Sequence, residues 1–468
     1  MLMLSADASI PELDRDSINC RSSKWTTTTP GTRMTPPPSV PAKKAKSALL
    51  IVFLVVFIDL LGFGIVLPLM PRYATEYLGD TSDLAKGAII GALYSSFSLM
   101  QFIFSPVWGR ISDRIGRRPI LIMGLIGSVL FYGLFAFACT IPSTEAGLAI
   151  GLLLASRIGA GIAGASVSTA SAVIADSTTP EKRSKGMALI GAAFGIGFTF
   201  GPLIAYFGLE IFGPNEHWAP GAIASGLSFV ALVLAYVYLP ETLKPNASVE
   251  ASHRGAFSLG RSLDVLKMPA VGPLILIYFL GIFAFANFEA TLALFTKEAF
   301  KFTDQDNFLV FAGVGLVLVI AQGGFYRRFA GKVSELTLMK AGLGMMFIGL
   351  GGLGAVAYAV YLVQSSPDTV NGFRVLFYIA SAVAVFGFAF LNPSVAALVS
   401  RRADPNRQGE ILGVNQSFAA LGRILGPLLG SIVFWLHPSH TLPFAVAGAV
   451  LVVVALLAAK QENPAPSA

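Results

Sequence analysis

Charge is what this sequence has least of. Only 13% of its 468 residues are Asp, Glu, Lys or Arg, about half of the roughly 25% usual in soluble domains. A soluble chain of this length needs more polar surface than that to face water; a chain whose solvent is lipid does not. Cysteine is scarce as well. Cys20 lies in a polar stretch and Cys139 in an apolar run, which excludes a disulfide framework and a cysteine-based metal site. Two of the four histidines, His437 and His440, share one short loop. They form no ligand cluster, so no metal and no cofactor are expected. No nucleophile–base pair, phosphate-binding loop or metal cluster stands in any loop, and an enzyme is not expected.

What is abundant is apolar. Hydrophobic residues make up 54% of the chain, the mean hydropathy is +0.71, and there are 48 glycines and 36 phenylalanines. Residues 1–46 are the exception. They are rich in Ser, Thr and Pro, cannot bury a core, and read as a disordered polar tail. Beyond them, runs long enough to cross ~30 Å of hydrocarbon recur. The expected spans are 48–70, 87–108, 120–141, 147–174, 187–208, 219–239, 270–296, 307–326, 337–362, 373–399, 410–435 and 440–459. The fold class is therefore all-α: a polytopic membrane protein of about 12 transmembrane helices.

The net charge of +7 points to topology rather than to nucleic acid. With the N-terminus inside, the outer connections hold only Arg72, Lys86, Lys297, Lys301 and Arg374. The inner ones hold the rest of the flanking Lys and Arg, a bias of about four to one. Both termini are thus expected in the cytoplasm, with a bacterial inner membrane or a plasma membrane as the site. The polar stretch 240–269 divides the spans six and six. This gives an N-terminal bundle at 47–239, a linker at 240–269, a C-terminal bundle at 270–459 and a short tail at 460–468. The halves look like repeats. Gly197-Phe-Thr-Phe-Gly201-Pro202-Leu203 matches Gly422-Arg-Ile-Leu-Gly426-Pro427-Leu428, and Gly109, Gly116 and Arg117 match Gly324, Gly331 and Lys332 at one offset. A duplicated six-helix unit with a site between its halves is a signature of secondary transporters.

Three motifs then carry a resemblance. Gly109-Arg-Ile-Ser-Asp113-Arg-Ile-Gly116-Arg117-Arg118-Pro119 resembles the loop 2–3 signature of the major facilitator superfamily. Arg157-Ile-Gly-Ala-Gly161-Ile-Ala-Gly164 resembles its span-four arginine motif, and Gly191 to Pro202 resembles the span-five motif of its antiporters. The set is similar to the 12-helix drug–proton antiporters, particularly tetracycline–proton antiporters and their animal tetracycline-transporter-like relatives. Phe288-Glu289-Ala-Thr-Leu292 and the stretch from Gln408 to Pro427 look closest to the animal group. The resemblance covers about 47–459 and implies two pseudo-symmetric bundles and a functional acid in span one. One departure bears on tetracycline as substrate: some tetracycline exporters carry an acid in span nine, and 341–362 has none.

Four ionisable residues stand inside spans: Asp59, Arg157, Glu289 and Arg423. A charge at mid-bilayer costs at least ~2.5–3.5 kcal/mol, so such residues face a cavity or pair with one another. Asp59, the first choice, and Glu289, the second, are the candidate proton-coupling acids. Arg157 and Arg423 are candidate substrate groups, with Tyr94, Gln101, Asn287, Gln416 and Asn392 as polar wall. Below Arg157, the residues Gly161, Gly164, Ser168 and Ser171 fall on one face, which suits either a wet cavity or close packing. The expected gate comprises Gly109, Asp113, Gly116, Arg117, Arg118 and Asp176, with Gly197, Gly201 and Pro202 as a bendable helix contact. These residues suggest proton-coupled export of a small organic molecule by alternating access, from a monomer in a lipid bilayer. An importer or uniporter of organic anions or sugars stays open, as does a non-transporting receptor.

Overall fold

The computed structural model describes residues 42–79, 81–178, 180–243, 259–363, 367–404 and 407–462. Most of the expected N-terminal tail and most of the expected 240–269 linker lie outside the described residues. Twelve helices are long and apolar enough to cross a membrane. They are α1 (Leu49–Leu69), α2 (Asp83–Ile115), α3 (Arg117–Ala138), α4 (Ser143–Ile174), α5 (Gly195–Phe212), α6 (Trp218–Tyr238), α7 (Gly272–Phe300), α8 (Asp304–Phe329), α9 (Glu335–Val363), α10 (Thr369–Arg402), α11 (Ile411–Phe434) and α12 (Leu442–Ala459). No named strand occurs among the described residues. Each expected span overlaps its helix, and differences lie at the ends. The second span was expected at 87–108, yet α2 continues through Arg110, Asp113 and Arg114 to Ile115. Hydropathy stops where charge begins, but the backbone hydrogen bonding does not.

Three helices depart from regularity, each for a local reason. After Val66, α1 tightens into a 3-10 turn at Leu67–Leu69 before a short helix at Met70–Glu76. Pro71 has no N–H to offer the Leu67 carbonyl; the Met70 amide and, at 3.0 Å, the Tyr94 hydroxyl donate to it instead. In α4, regular helix ends at Gly164 and resumes at Val167. A break inside hydrocarbon requires new partners for the freed backbone groups. They come from α2: Trp108 Nε1 donates to the Ile162 carbonyl at 2.8 Å, and Gln101 Nε2 to the Gly164 carbonyl at 3.3 Å. In α8, the stretch Ile320–Tyr326, with its pair Gly323 and Gly324, winds as a π-helix, a form found mostly as short bulges.

Close packing repeats between the halves. Cβ atoms built on Gly197 and Gly201 of α5 would lie 2.9 Å from Leu60 Cβ and 2.6 Å from the Leu61 carbonyl oxygen of α1. On Gly422 and Gly426 of α11 they would lie 2.8 and 2.7 Å from the Phe279 and Phe283 carbonyl oxygens of α7. Only glycine permits either approach. The same motif thus packs the fifth helix on the first and the eleventh on the seventh. Turns repeat too: Gly116 after α2 and Gly331 after α8 both have positive φ, 111° and 80°, a region glycine enters at no steric cost.

The halves meet at the end opposite Gly116. There Gly87 and Gly91 of α2 lie against the α11 backbone at Ser431, Ile432 and Leu428, and Ser95 Oγ donates to the Ile424 carbonyl at 2.6 Å. Gly315 of α8 packs on Thr199 of α5. Gln305 donates to Glu210 at 3.0 Å, and His217 meets Asp304 at 2.8 Å. Further along α2 the burial ends. Ser95 to Ser98 are buried, whereas from Leu99 to Ile115 only Ser112 is. The molecule is closed at this end and open toward the basic loops.

Candidate functional site

Charged and hydroxyl-bearing side chains from α2, α4, α7 and α11 converge near mid-depth. Arg157 of α4 is 3% exposed. Its guanidinium lies over the Phe97 ring, 4.7 Å from the centroid, and its Nε has no hydrogen-bond partner. Tyr94, one turn before Phe97, is in electrostatic range of both Arg157 and Glu289. Across the centre, Arg423 of α11 is in range of Glu289 and of Tyr278 on α7. Glu289 and Arg423 form no direct ion pair among the described residues. The two groups lie in electrostatic range without an ion pair between them, so neither is locked to the other.

The other expected wall residues divide. Asn392 accepts from the Tyr278 hydroxyl at 2.6 Å, which ties α10 to α7 three turns before Glu289 on the same face. Asn287 is fully buried, and neither its Oδ1 nor its Nδ2 has a partner; a Cβ on Gly430 would lie 2.8 Å from that Oδ1. Tyr94 and Gln101 are engaged with backbone carbonyls, and Gln416 is exposed. The Asp59 side chain lies outside the described residues. Of the two readings of the stripe under Arg157, close packing is what forms. A Cβ on Gly161 would sit 2.5 Å from the Phe97 carbonyl oxygen, and Ser168 Oγ donates to the Ser105 carbonyl at 2.9 Å.

At the open end a second charged cluster surrounds Gly116. Arg117 pairs with Asp113 one turn back and, through Nε at 3.3 Å, with Asp176 beyond α4; its Nη1 donates to Ser112 Oγ at 2.7 Å. The Glu241 carboxylate, just past α6, accepts from the Arg117 and Arg118 amides at 2.9 and 3.1 Å. It caps the N-terminus of α3, where orphan amides and the helix dipole favour an anion. Arg118 donates to the Tyr236 carbonyl at 2.6 Å. Gly109 faces Ser168 Oγ at ordinary contact distance. All these partners belong to the first six helices. The second half holds a charge-reversed counterpart, Glu335 at the start of α9 pairing with Arg401 at the end of α10 at 2.8 Å.

A family model described as Major Facilitator Superfamily matches residues 52–366 and 343–468. The chain belongs to that superfamily. Being a major facilitator, it is an integral multi-pass membrane transporter of small molecules and not an enzyme. It is 29% identical over 475 residues to major facilitator superfamily domain-containing protein 10 of Mus musculus, covering 92% of this chain and 97% of that one. It is 28% identical to the class B tetracycline resistance protein of Escherichia coli, over 84% of this chain and 89% of that one. The crystal structure of the human organic anion transporter MFSD10 (TETRAN) superposes with a TM-score of 0.61 at 26% identity, covering 91% of this chain and all of that one.

Two residues of this major facilitator's candidate site escaped sequence reasoning. Tyr278 stands three turns before Glu289 on one face of α7, so helical spacing counted back from the acid would have found it. Glu241 carried no such signal. An acid in a polar stretch is ordinary, and its partners are backbone amides far away in sequence.

Proposed function

We propose that this chain exports a small organic molecule in exchange for protons, with Glu289 as the acid that proton and substrate share. The observation that carries this reading is that Glu289 lies in electrostatic range of Arg423 with no ion pair between them. An acid in apolar surroundings holds a proton readily unless a cation or donor compensates its charge. A substrate that brings a donor group to Glu289 displaces the proton, and its anionic or polar end lies against Arg423 or Arg157. Such a site suits zwitterionic, amphipathic or anionic organic molecules. The names of two relatives, an organic anion transporter and a tetracycline resistance protein, support that class. Asp59 is the second candidate acid.

In the same reading the protein is a monomer of two six-helix halves that rock about the site. The basic loops and both termini face the cytoplasm, in a bacterial inner membrane or a plasma membrane. The Gly116 cluster and its counterpart, Glu335 with Arg401, act as the gate on that side, and the Gly197–Pro202 contact is the bendable helix packing that lets the halves move. The test is flux in proteoliposomes under an imposed pH gradient, with radiolabelled organic anions and zwitterions of graded size. Uphill movement that collapses with the gradient is the expected result. Flux indifferent to the gradient would remove proton coupling while leaving the family intact.

A further inference from the structure

The closed mouth contains a histidine with two rival partners. His217, between α5 and α6, is 3% exposed. Its Nδ1 lies 2.7 Å from the Asn215 carbonyl oxygen, an acceptor that requires a proton on Nδ1. Its Nε2 lies 2.9 Å from Arg72 Nη1 and 2.8 Å from Asp304 Oδ2. Those two partners ask for opposite things. Arg72 can only donate, so it needs a bare Nε2. Ionised Asp304 can only accept, so it needs Nε2–H. Arg72 follows α1, in the same half as His217, while Asp304 begins α8 in the other half.

We propose that His217 is a proton-binding site separate from the central acid, and that its proton latches this mouth. The neutral ring accepts from Arg72 and binds only its own half. The imidazolium donates to Asn215 and to Asp304 together and so joins the halves. When the mouth opens, Asp304 leaves and the ring loses its counter-charge. The closed form therefore binds the proton more tightly, and by linkage a lower pH at this face favours closure while a higher pH favours opening. The other charges here are Glu76, 2.7 Å from Arg72 Nε, and Lys297 of α7, in electrostatic range of Asp304, Arg72, Glu76 and Glu298. Glu210, bonded to Gln305, is a second contact across the mouth. Between about pH 5 and 8 histidine is the side chain that ordinarily changes charge.

The inference does not rest on export or on Glu289, and its test reads distance rather than flux. Spin labels on cysteines at exposed Ile211 and Leu436, in full-length protein with Cys20 and Cys139 replaced by Ser, report the closed and open populations of this mouth in lipid nanodiscs. In the parent, the closed-to-open ratio should fall as pH rises from about 5 to 8, by up to about tenfold per unit for one coupled proton. H217Q should flatten the curve, and so should D304N, which keeps the volume and removes the charge. A parent ratio that ignores pH, or a H217Q or D304N curve that tracks the parent, would overturn the proposal.

Discussion

Replacing Glu241 with Ala leaves the Arg117 and Arg118 amides at the start of α3 without their anion. The expected cost is about 1–2 kcal/mol, read as a lower midpoint of thermal unfolding in detergent. Gly116→Ala should cost a similar or larger amount, roughly 1–3 kcal/mol. It forces a side chain into φ 111° and would set a Cβ 2.4 Å from Glu241 Oε2. Because both changes act on one contact, the double variant should lose less than the sum of the two, which a double-mutant cycle measures. At this scale legibility followed contrast. Arg157, Glu289 and Arg423 are conspicuous because hydrocarbon disfavours them. Glu241, His217 and Asp304 stand in polar connections where charge is unremarkable, and what distinguishes them is a partner that only the fold supplies.

Among the elements, the break in α4 holds because α2 lends it donors. Gln101→Leu should leave the Gly164 carbonyl unpaired in an apolar setting and lower stability by about 1–3 kcal/mol; Trp108→Phe should do the same to Ile162. Both are read by thermal unfolding. Hydropathy located all twelve helices because span length and apolar content are set by the bilayer. It could not locate the break, since Gly164, Ala165 and Ser166 are as acceptable in a continuous membrane helix as at an interruption. The turn ending α1 was closer to legible: Pro68 and Pro71 forbid regular hydrogen bonding there, although the Tyr94 hydroxyl that answers Pro71 lies on another helix. A larger residue at Gly91, such as Leu, should wedge α2 from α11, because even a Cβ would come within 2.9 Å of Leu428 Cα. That variant should populate the form open at this mouth, seen as a longer Ile211–Leu436 label distance.

For the whole molecule, the repeat was legible because one backbone device recurs. The Gly-x-x-x-Gly-Pro spacing packs α5 on α1 and α11 on α7, and a positive-φ glycine follows both α2 and α8. Which mouth is closed was not legible, since the contacts that close it, such as Ser95 with Ile424, join residues far apart in sequence and leave no local signal. The central claim is that proton and substrate compete for Glu289. The direct measurement is the proton count on binding, read with a pH-sensitive dye in weakly buffered detergent solution after addition of an organic zwitterion or anion selected by thermal stabilisation. The account predicts release of about one proton per molecule bound in the parent and none in Glu289→Gln. Proton uptake, or equal release from parent and variant, would contradict it.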